Sequence, residues 1–307
     1  MNTNEWALII FTVVMQMAVG AFVILGGVHF FAARRNGLAA ADQLSDRALL
    51  AIGPVVVFGL FVTFFHLGNP VNAPRAILNL GSSWLSREIF LSLLFGLGGA
   101  VFALLQWRKL STPSLRNALA LIVALIGLAL VFSMSMVYRL FSVPAWDTLA
   151  TQATFFITTF LLGSLAMGAA FVANFWYVRR KNLDAQNVQY TLLATSLRWI
   201  ALMAIALLGL QFLVIPLYLS SLATLGTAAA AASIAQIGQQ QGLIFALRLV
   251  LLFAGAGLLS VFVYALAASE NKLRVVSNVA YVAFALVLIS EILGRYLFYA
   301  SMIRIGL

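Results

Sequence analysis

The chain has 307 residues, 64% of them hydrophobic and only 8% charged, with a formal net charge of +10. A soluble domain carries about 25% charged residues, so these proportions exclude a soluble globular protein and indicate an integral membrane protein. There is no cysteine, which excludes disulfides and thiolate-ligated iron–sulfur clusters within the chain.

A membrane-spanning helix needs about 20 predominantly apolar residues, and lipid tolerates no open strand. Eight segments qualify: Trp6–Ala33, Ala48–Leu67, Ile89–Trp107, Leu115–Phe141, Gln152–Val178, Thr191–Leu219, Leu243–Ala268 and Val275–Met302. The fold is therefore expected to be all-α, one domain of eight transmembrane helices over residues 1–307. Met1-Asn2-Thr3-Asn4-Glu5 lacks the basic region of a cleavable signal peptide, so the first segment is expected to be a retained helix. Basic residues gather in alternate loops: Arg34, Arg35 and Arg47, then Arg108, Lys109 and Arg116, then Arg179, Arg180 and Lys181, then Lys272 and Arg274. The positive-inside rule puts those loops in the cytoplasm and both termini on the outer side. The positive charge thus orients the chain and meets anionic lipid, and points to no nucleic acid.

Between the second and third spans runs FFHLGNPVNAPRAILNLGSSWLSRE, residues 64–88. It holds His66, one of two histidines, and Glu88, one of eight acidic residues. Asn69-Pro70 and Ala73-Pro74 break helix, and Ser86 reads as the N-cap of the next helix with Glu88 in its first turn. His66 then closes one span and Glu88 opens the next, at the same outer surface. A histidine and a carboxylate so placed can accept and relay protons. The plainer alternative is a wet interfacial histidine beside a carboxylate that only complements a helix N-terminus.

Further along, charges inside spans mark function or obligatory pairing. Arg139 ends the fourth span. The uncharged outer loop Ser220–Gly242 reads as a linker, with a short helix as the other reading. Arg248 lies early in the seventh span. Glu291 and Arg295, four residues apart in the eighth, share a helix face and read as a structural ion pair. All of these fall toward the outer surface. His29 falls at the inner end of the first span, roughly 34 Å from the start of that helix at 1.5 Å per residue, so one haem iron cannot bind both His29 and His66. Gly26-Gly27, Gly96, Gly98-Gly99, Gly255 and Gly257 read as sites of close helix packing. No metal motif, phosphate-binding loop or nucleophile motif is present. The outer cluster has a proton acceptor, carboxylates and arginines but no redox centre. That combination suits a lipid-soluble carrier of two electrons and two protons that hands its electrons to a partner.

Several of these residues form a recognisable set. His66-Leu67-Gly68-Asn69-Pro70, Ala73, Asn79, Gly81 and Leu85-Ser86-Arg87-Glu88-Ile89 resemble the DmsC family, the membrane-anchor subunits of dimethyl sulfoxide reductase. So do Val143-Pro144-Ala145-Trp146, Arg248, and Glu291-Ile292-Leu293-Gly294-Arg295 with Phe298-Tyr299. The resemblance implies a haemless anchor in the bacterial cytoplasmic membrane that oxidises menaquinol. Its electrons would pass to a ferredoxin-like subunit with four 4Fe–4S clusters, and from there to a molybdopterin catalytic subunit. The resemblance places His66 and Glu88 at the quinol site; Arg75 and Arg248 are further candidates for binding the headgroup. One departure is Met136, where the family often has arginine; Arg139 follows one turn later.

Two other readings compete. A haemless polysulfide-reductase-type anchor would share the chemistry. A secondary transporter for a small anion would use Arg139, Arg248 and Arg295, but would favour a midplane site on paired repeats, whereas these charges gather near one face.

Overall fold

The computed structural model describes residues 3–63, 65, 75, 77–181 and 186–306. Eight long helices account for most of them: α1 (Thr3–Asn36), α2 (Leu38–Thr63), α3 (Trp84–Trp107), α4 (Pro113–Val137), α5 (Leu149–Arg180), α6 (Gln186–Thr224), α7 (Gly242–Leu266) and α8 (Leu273–Ala300). All eight are long and apolar enough to cross a membrane. Among the described residues there is no strand. A short helix, Ala228–Ala235, occupies the loop before α7, capped by the Thr227 side chain.

Three boundaries differ from the sequence reading, each for a polar reason. Helix α2 begins at Leu38, ten residues before Ala48, because its polar first turns find partners. Asp42 and Asp46 each lie 2.7 Å from Lys109 Nζ, and Gln106 Nε2 donates to both carboxylates at 2.8 and 2.9 Å. Arg116 Nε donates to Gln106 Oε1 at 2.9 Å, so α2, α3 and α4 are tied at one end. Helix α3 begins at Trp84, and its N-cap is Ser83, not Ser86. Ser83 has the extended backbone a cap requires, and its Oγ accepts from Ser86 N at 3.3 Å. Glu88 is consequently the fifth helical residue. The helix dipole acts within the first turn, so it does little to hold Glu88 ionised. Helix α4 ends at Val137, which leaves Tyr138 and Arg139 in the following loop, where Arg139 pairs with Asp147.

Helices α1 and α5 form the buried centre of the bundle. They cross where Gly20 meets Gly163: a Cβ on Gly20 would strike the Thr159 carbonyl, and one on Gly163 would strike the Gly20 backbone. Gly255 likewise fits against Val287 and Ala283 of α8, and Gly257 against Leu208 of α6. Both sit in a π-helical stretch of α7, Phe253–Leu259. Gly26, Gly27 and Gly99 are not packing glycines. A Cβ there would meet nothing within 4 Å, because these positions face away from neighbouring helices.

The two ends of the bundle differ in charge. The basic end carries Arg34, Arg35, Arg47, Arg108, Lys109, Arg116, Arg179, Arg180, Lys181, Lys272 and Arg274; the charge-poor end carries Arg75, Arg87, Arg139 and Arg304. The positive-inside rule assigns the basic end to the cytoplasm. Reporter fusions after Leu38, Ser111 and Lys181 are expected to read cytoplasmic, and fusions after Phe141 and Thr227 the opposite side. Inverted readings at all five would reverse the orientation.

Candidate functional site

The polar groups of the charge-poor end collect around an aromatic box. The loop after α4 folds Trp146 over Phe298 of α8, stacked with ring centroids 5.1 Å apart. Trp146 Nε1 donates to the Phe298 carbonyl at 2.7 Å. Tyr138 stands edge-on to both rings, with centroids 5.3 and 5.2 Å away. Its hydroxyl is hydrogen-bonded to that of Tyr299. Tyr138 lies just past the end of α4, and burial pushes its hydroxyl well above the ordinary tyrosine value, so it stays protonated. Glu88 of α3 is within electrostatic reach of both hydroxyls. It is 7% exposed and has no hydrogen-bond partner among the described residues. Burying a carboxylate is costly unless it is paired, so its position favours a hydroxyl or proton donor beside it.

On the far side of the tyrosine pair lies Arg295. Its guanidinium sits 3.8 Å above the Phe155 ring centre, a cation–π contact worth about 2 kcal/mol when desolvated. Its Nη2 donates to Gln16 Oε1 of α1 at 2.9 Å. Glu291, one turn earlier, accepts from Thr158 Oγ1 of α5 at 2.6 Å. No direct ion pair joins Glu291 to Arg295 within 4.0 Å, which corrects the expected structural pair. Their spacing puts them on one face, but each side chain turns to a different neighbouring helix.

Next to them, α5, α6, α7 and α8 line a partly open cavity of about 90 Å³ whose walls include Thr158, Gln211, Arg248, Glu291 and Arg295. Glu291 Oε1, Arg248 Nε and both amide atoms of Gln211 are buried without a hydrogen-bond partner. Each orphaned group costs about 1–3 kcal/mol, more if charged, against a total stability of about 5–15 kcal/mol. Four such atoms around one cavity therefore mark a polar site.

The sequence-derived candidates are thus divided. His66 lies outside the described residues. Arg75 is exposed at the charge-poor end. Glu88 belongs to the tyrosine side. Arg248 belongs to the cavity side, and its guanidinium lies flat on Gly294 of α8, where a Cβ would stand 2.7 Å from Cζ. Helix α3 packs mainly on α2 and α4, and α7 on α6 and α8, so Glu88 and Arg248 are not neighbours. Arg87 is a structural staple: Nε and Nη2 donate to Leu80 O at 2.8 Å and Gly81 O at 2.7 Å. At the basic end, His29 Nδ1 is 2.8 Å from Ser45 Oγ, and Nε2 is 3.8 Å from Asp42. Sequence reasoning missed Gln16, Tyr138, Thr158, Gln211 and Tyr299 as site residues. A polar residue deep in an apolar span was the available signal for Gln16, Thr158 and Gln211. Among the described residues, no three His, Cys, Asp or Glu side chains form a metal-binding group.

The family model described as DMSO reductase anchor subunit (DmsC) matches residues 1–301. The chain belongs to the DmsC family. Among DmsC relatives, an anaerobic dimethyl sulfoxide reductase chain of Escherichia coli K12 is 33% identical over 165 residues, 53% of this chain and 56% of that protein. Its counterpart in Haemophilus influenzae, with the same description, is 27% identical over 207 residues, 67% of this chain and 71% of that protein. A sulfite dehydrogenase subunit of Allochromatium vinosum is 28% identical over 166 residues, 49% of this chain and 50% of that protein. The alignment thus spans little more than half the length of the Escherichia coli relative. With eight helices long and apolar enough to span a membrane, this member of the DMSO reductase anchor subunit family is a multi-pass membrane protein.

Proposed function

We propose that this chain oxidises a quinol, menaquinol in the first instance, at its charge-poor end and passes the electrons to an iron–sulfur subunit docked there. That subunit would hold 4Fe–4S clusters and serve a molybdopterin catalytic subunit, the assembly lying in the bacterial cytoplasmic membrane with the quinol site on the outer side. The observation that carries this reading is Glu88. In a DmsC-family chain it is a buried carboxylate with no hydrogen-bond partner among the described residues, beside two hydrogen-bonded tyrosines, at one end of a bundle that contains no thiolate.

Quinol oxidation releases two electrons and two protons, so the headgroup needs proton acceptors on this chain and an electron acceptor on its partner. An imidazole can change protonation near neutral pH, so a neutral His66 could take a hydroxyl proton. Glu88 can receive that proton from His66 and pass it to the outer water. Tyr138 and Tyr299, as protonated hydroxyls, can donate to the quinone oxygen as charge develops on it. Arg75, exposed at the same end, would meet the partner or lipid rather than the reacting oxygens. The terminal substrate is set by the catalytic partner, in keeping with relatives named for dimethyl sulfoxide and for sulfite.

The test uses the whole complex. It is expected to bleach a reduced quinol in detergent when terminal acceptor is added, and a tight-binding quinol analogue is expected to block that turnover but not turnover with a soluble electron donor. Quinol-independent turnover alone would overturn the proposal.

A further inference from the structure

The cavity between α5, α6, α7 and α8 is not accounted for by Glu88 and His66. We propose that it holds a small water cluster with Glu291 as its proton-accepting carboxylate, a second proton outlet for quinol oxidation. This rests on the quinol reading above.

The cavity has a volume of about 90 Å³, room for several waters. Its polarity points to water. A buried water needs two to four polar partners, and four orphaned polar atoms belong to residues of this one wall. Gln211 and Glu291 are 1% and 3% exposed, so neither reaches bulk water directly.

Position links the cavity to the reaction at one end and to solvent at the other. Arg295 lies over the Phe298 ring of the aromatic box at 5.4 Å and also lines the cavity, and so stands between the two. Glu291 lies nine residues before the end of α8, roughly 14 Å below that end at 1.5 Å per residue. From there the cavity wall runs toward Ala145, Tyr218, Ile237 and Ser301 at the charge-poor end. The charged and titratable groups around Glu291 are Arg295 on its own helix, Arg248 from α7 and Tyr218 from α6. Helix α5 contributes only the Thr158 hydroxyl, which already donates to Oε2. Oε1 is the oxygen left to accept a proton.

The balance of the step is simple. Both quinol O–H bonds break as two electrons pass to the iron–sulfur partner. One proton goes to the His66–Glu88 side. The other crosses by cavity water to Glu291, converts the carboxylate to the acid, and leaves for bulk water at the charge-poor end, restoring the carboxylate. Glu291 acts through water and is a positioning and relay residue rather than a headgroup ligand.

The test is Glu291→Gln in the full complex. Assembly, soluble-donor turnover and binding of a quinol analogue are expected to match the parent. Quinol-dependent kcat is expected to fall about tenfold or more with KM little changed, and Glu291→Asp is expected to recover part of it. By infrared spectroscopy, adding quinol to the parental complex should raise a protonated-carboxyl band that shifts in D2O and is missing in Glu291→Gln. Parental kcat in Glu291→Gln, loss of analogue binding, or no difference in that band would each overturn the relay. If Glu291→Gln does not assemble, Gln211→Leu fills the hydrated space without removing a charge; it is expected to slow quinol turnover several-fold, and parental turnover would refute the proposal. A parental complex that oxidises no quinol sinks the function itself, whereas one that oxidises quinol without raising that band sinks the relay alone.

Discussion

Replacing Glu88 by Gln, or His66 by Ala, is expected to lower quinol-dependent turnover at least about tenfold while the complex still assembles and still works with a soluble donor. Gln is nearly isosteric with Glu, so the buried end of α3 keeps its packing and loses only the anionic acceptor. Among the described residues nothing depends on Glu88 as a hydrogen-bond partner, so there the substitution breaks no hydrogen bond. Analogue binding should weaken with turnover, because Glu88 lies beside the tyrosine pair that would face the headgroup. His66→Ala should also flatten the pH profile. An imidazole base must be neutral to accept a proton, so parental turnover should rise with pH as the imidazole loses its charge, and the variant should lose that rise. Parental rates in both variants would move the reaction away from residues 64–88.

Replacing Gly163 or Gly20 by Val is expected to abolish assembly of the complex. Overpacking an ordinary core site costs about 1–3 kcal/mol, because side chains can shift. Here the obstacle on each side is backbone: the Thr159 carbonyl for Gly20, and the Gly20 main chain for Gly163. Backbone cannot turn aside, so α1 and α5 must separate along their length. These two helices carry the buried centre, including Gln16, Thr158 and Phe155, which hold Glu291 and Arg295. The cost should therefore approach the whole stability of about 5–15 kcal/mol. Gly26→Ala and Gly27→Ala, further along the same helix, have nothing within 4 Å and should assemble as the parent does. Normal yield of the Gly163 or Gly20 variants on gel filtration would show that α1 and α5 can cross at a greater distance.

Both predictions show where sequence reading holds and where it stops. The eight spans are legible because lipid imposes a one-dimensional demand: about 20 apolar residues in a row, with charge confined to the ends. Rarity made Glu88 visible, since a carboxylate beside an apolar segment stands out without any knowledge of its neighbours. The cap was misplaced by three residues because Ser83 and Ser86 are both competent, and only backbone conformation separates them.

What the sequence could not decide was which polar groups meet. The four-residue spacing of Glu291 and Arg295 established a shared face, yet Thr158 and Gln16 claimed them from 133 and 279 residues away. The Tyr138–Tyr299 hydrogen bond joins residues 161 apart. The packing glycines at Gly20 and Gly163 look no different in sequence from the open ones at Gly26 and Gly27. Hydropathy reports how each segment partitions between water and lipid. It carries almost no information about the rotation of a helix about its own axis, because an apolar helix is equally content against lipid or another helix. That rotation decides which side chains face inward, and it is specified by contacts among all eight helices together.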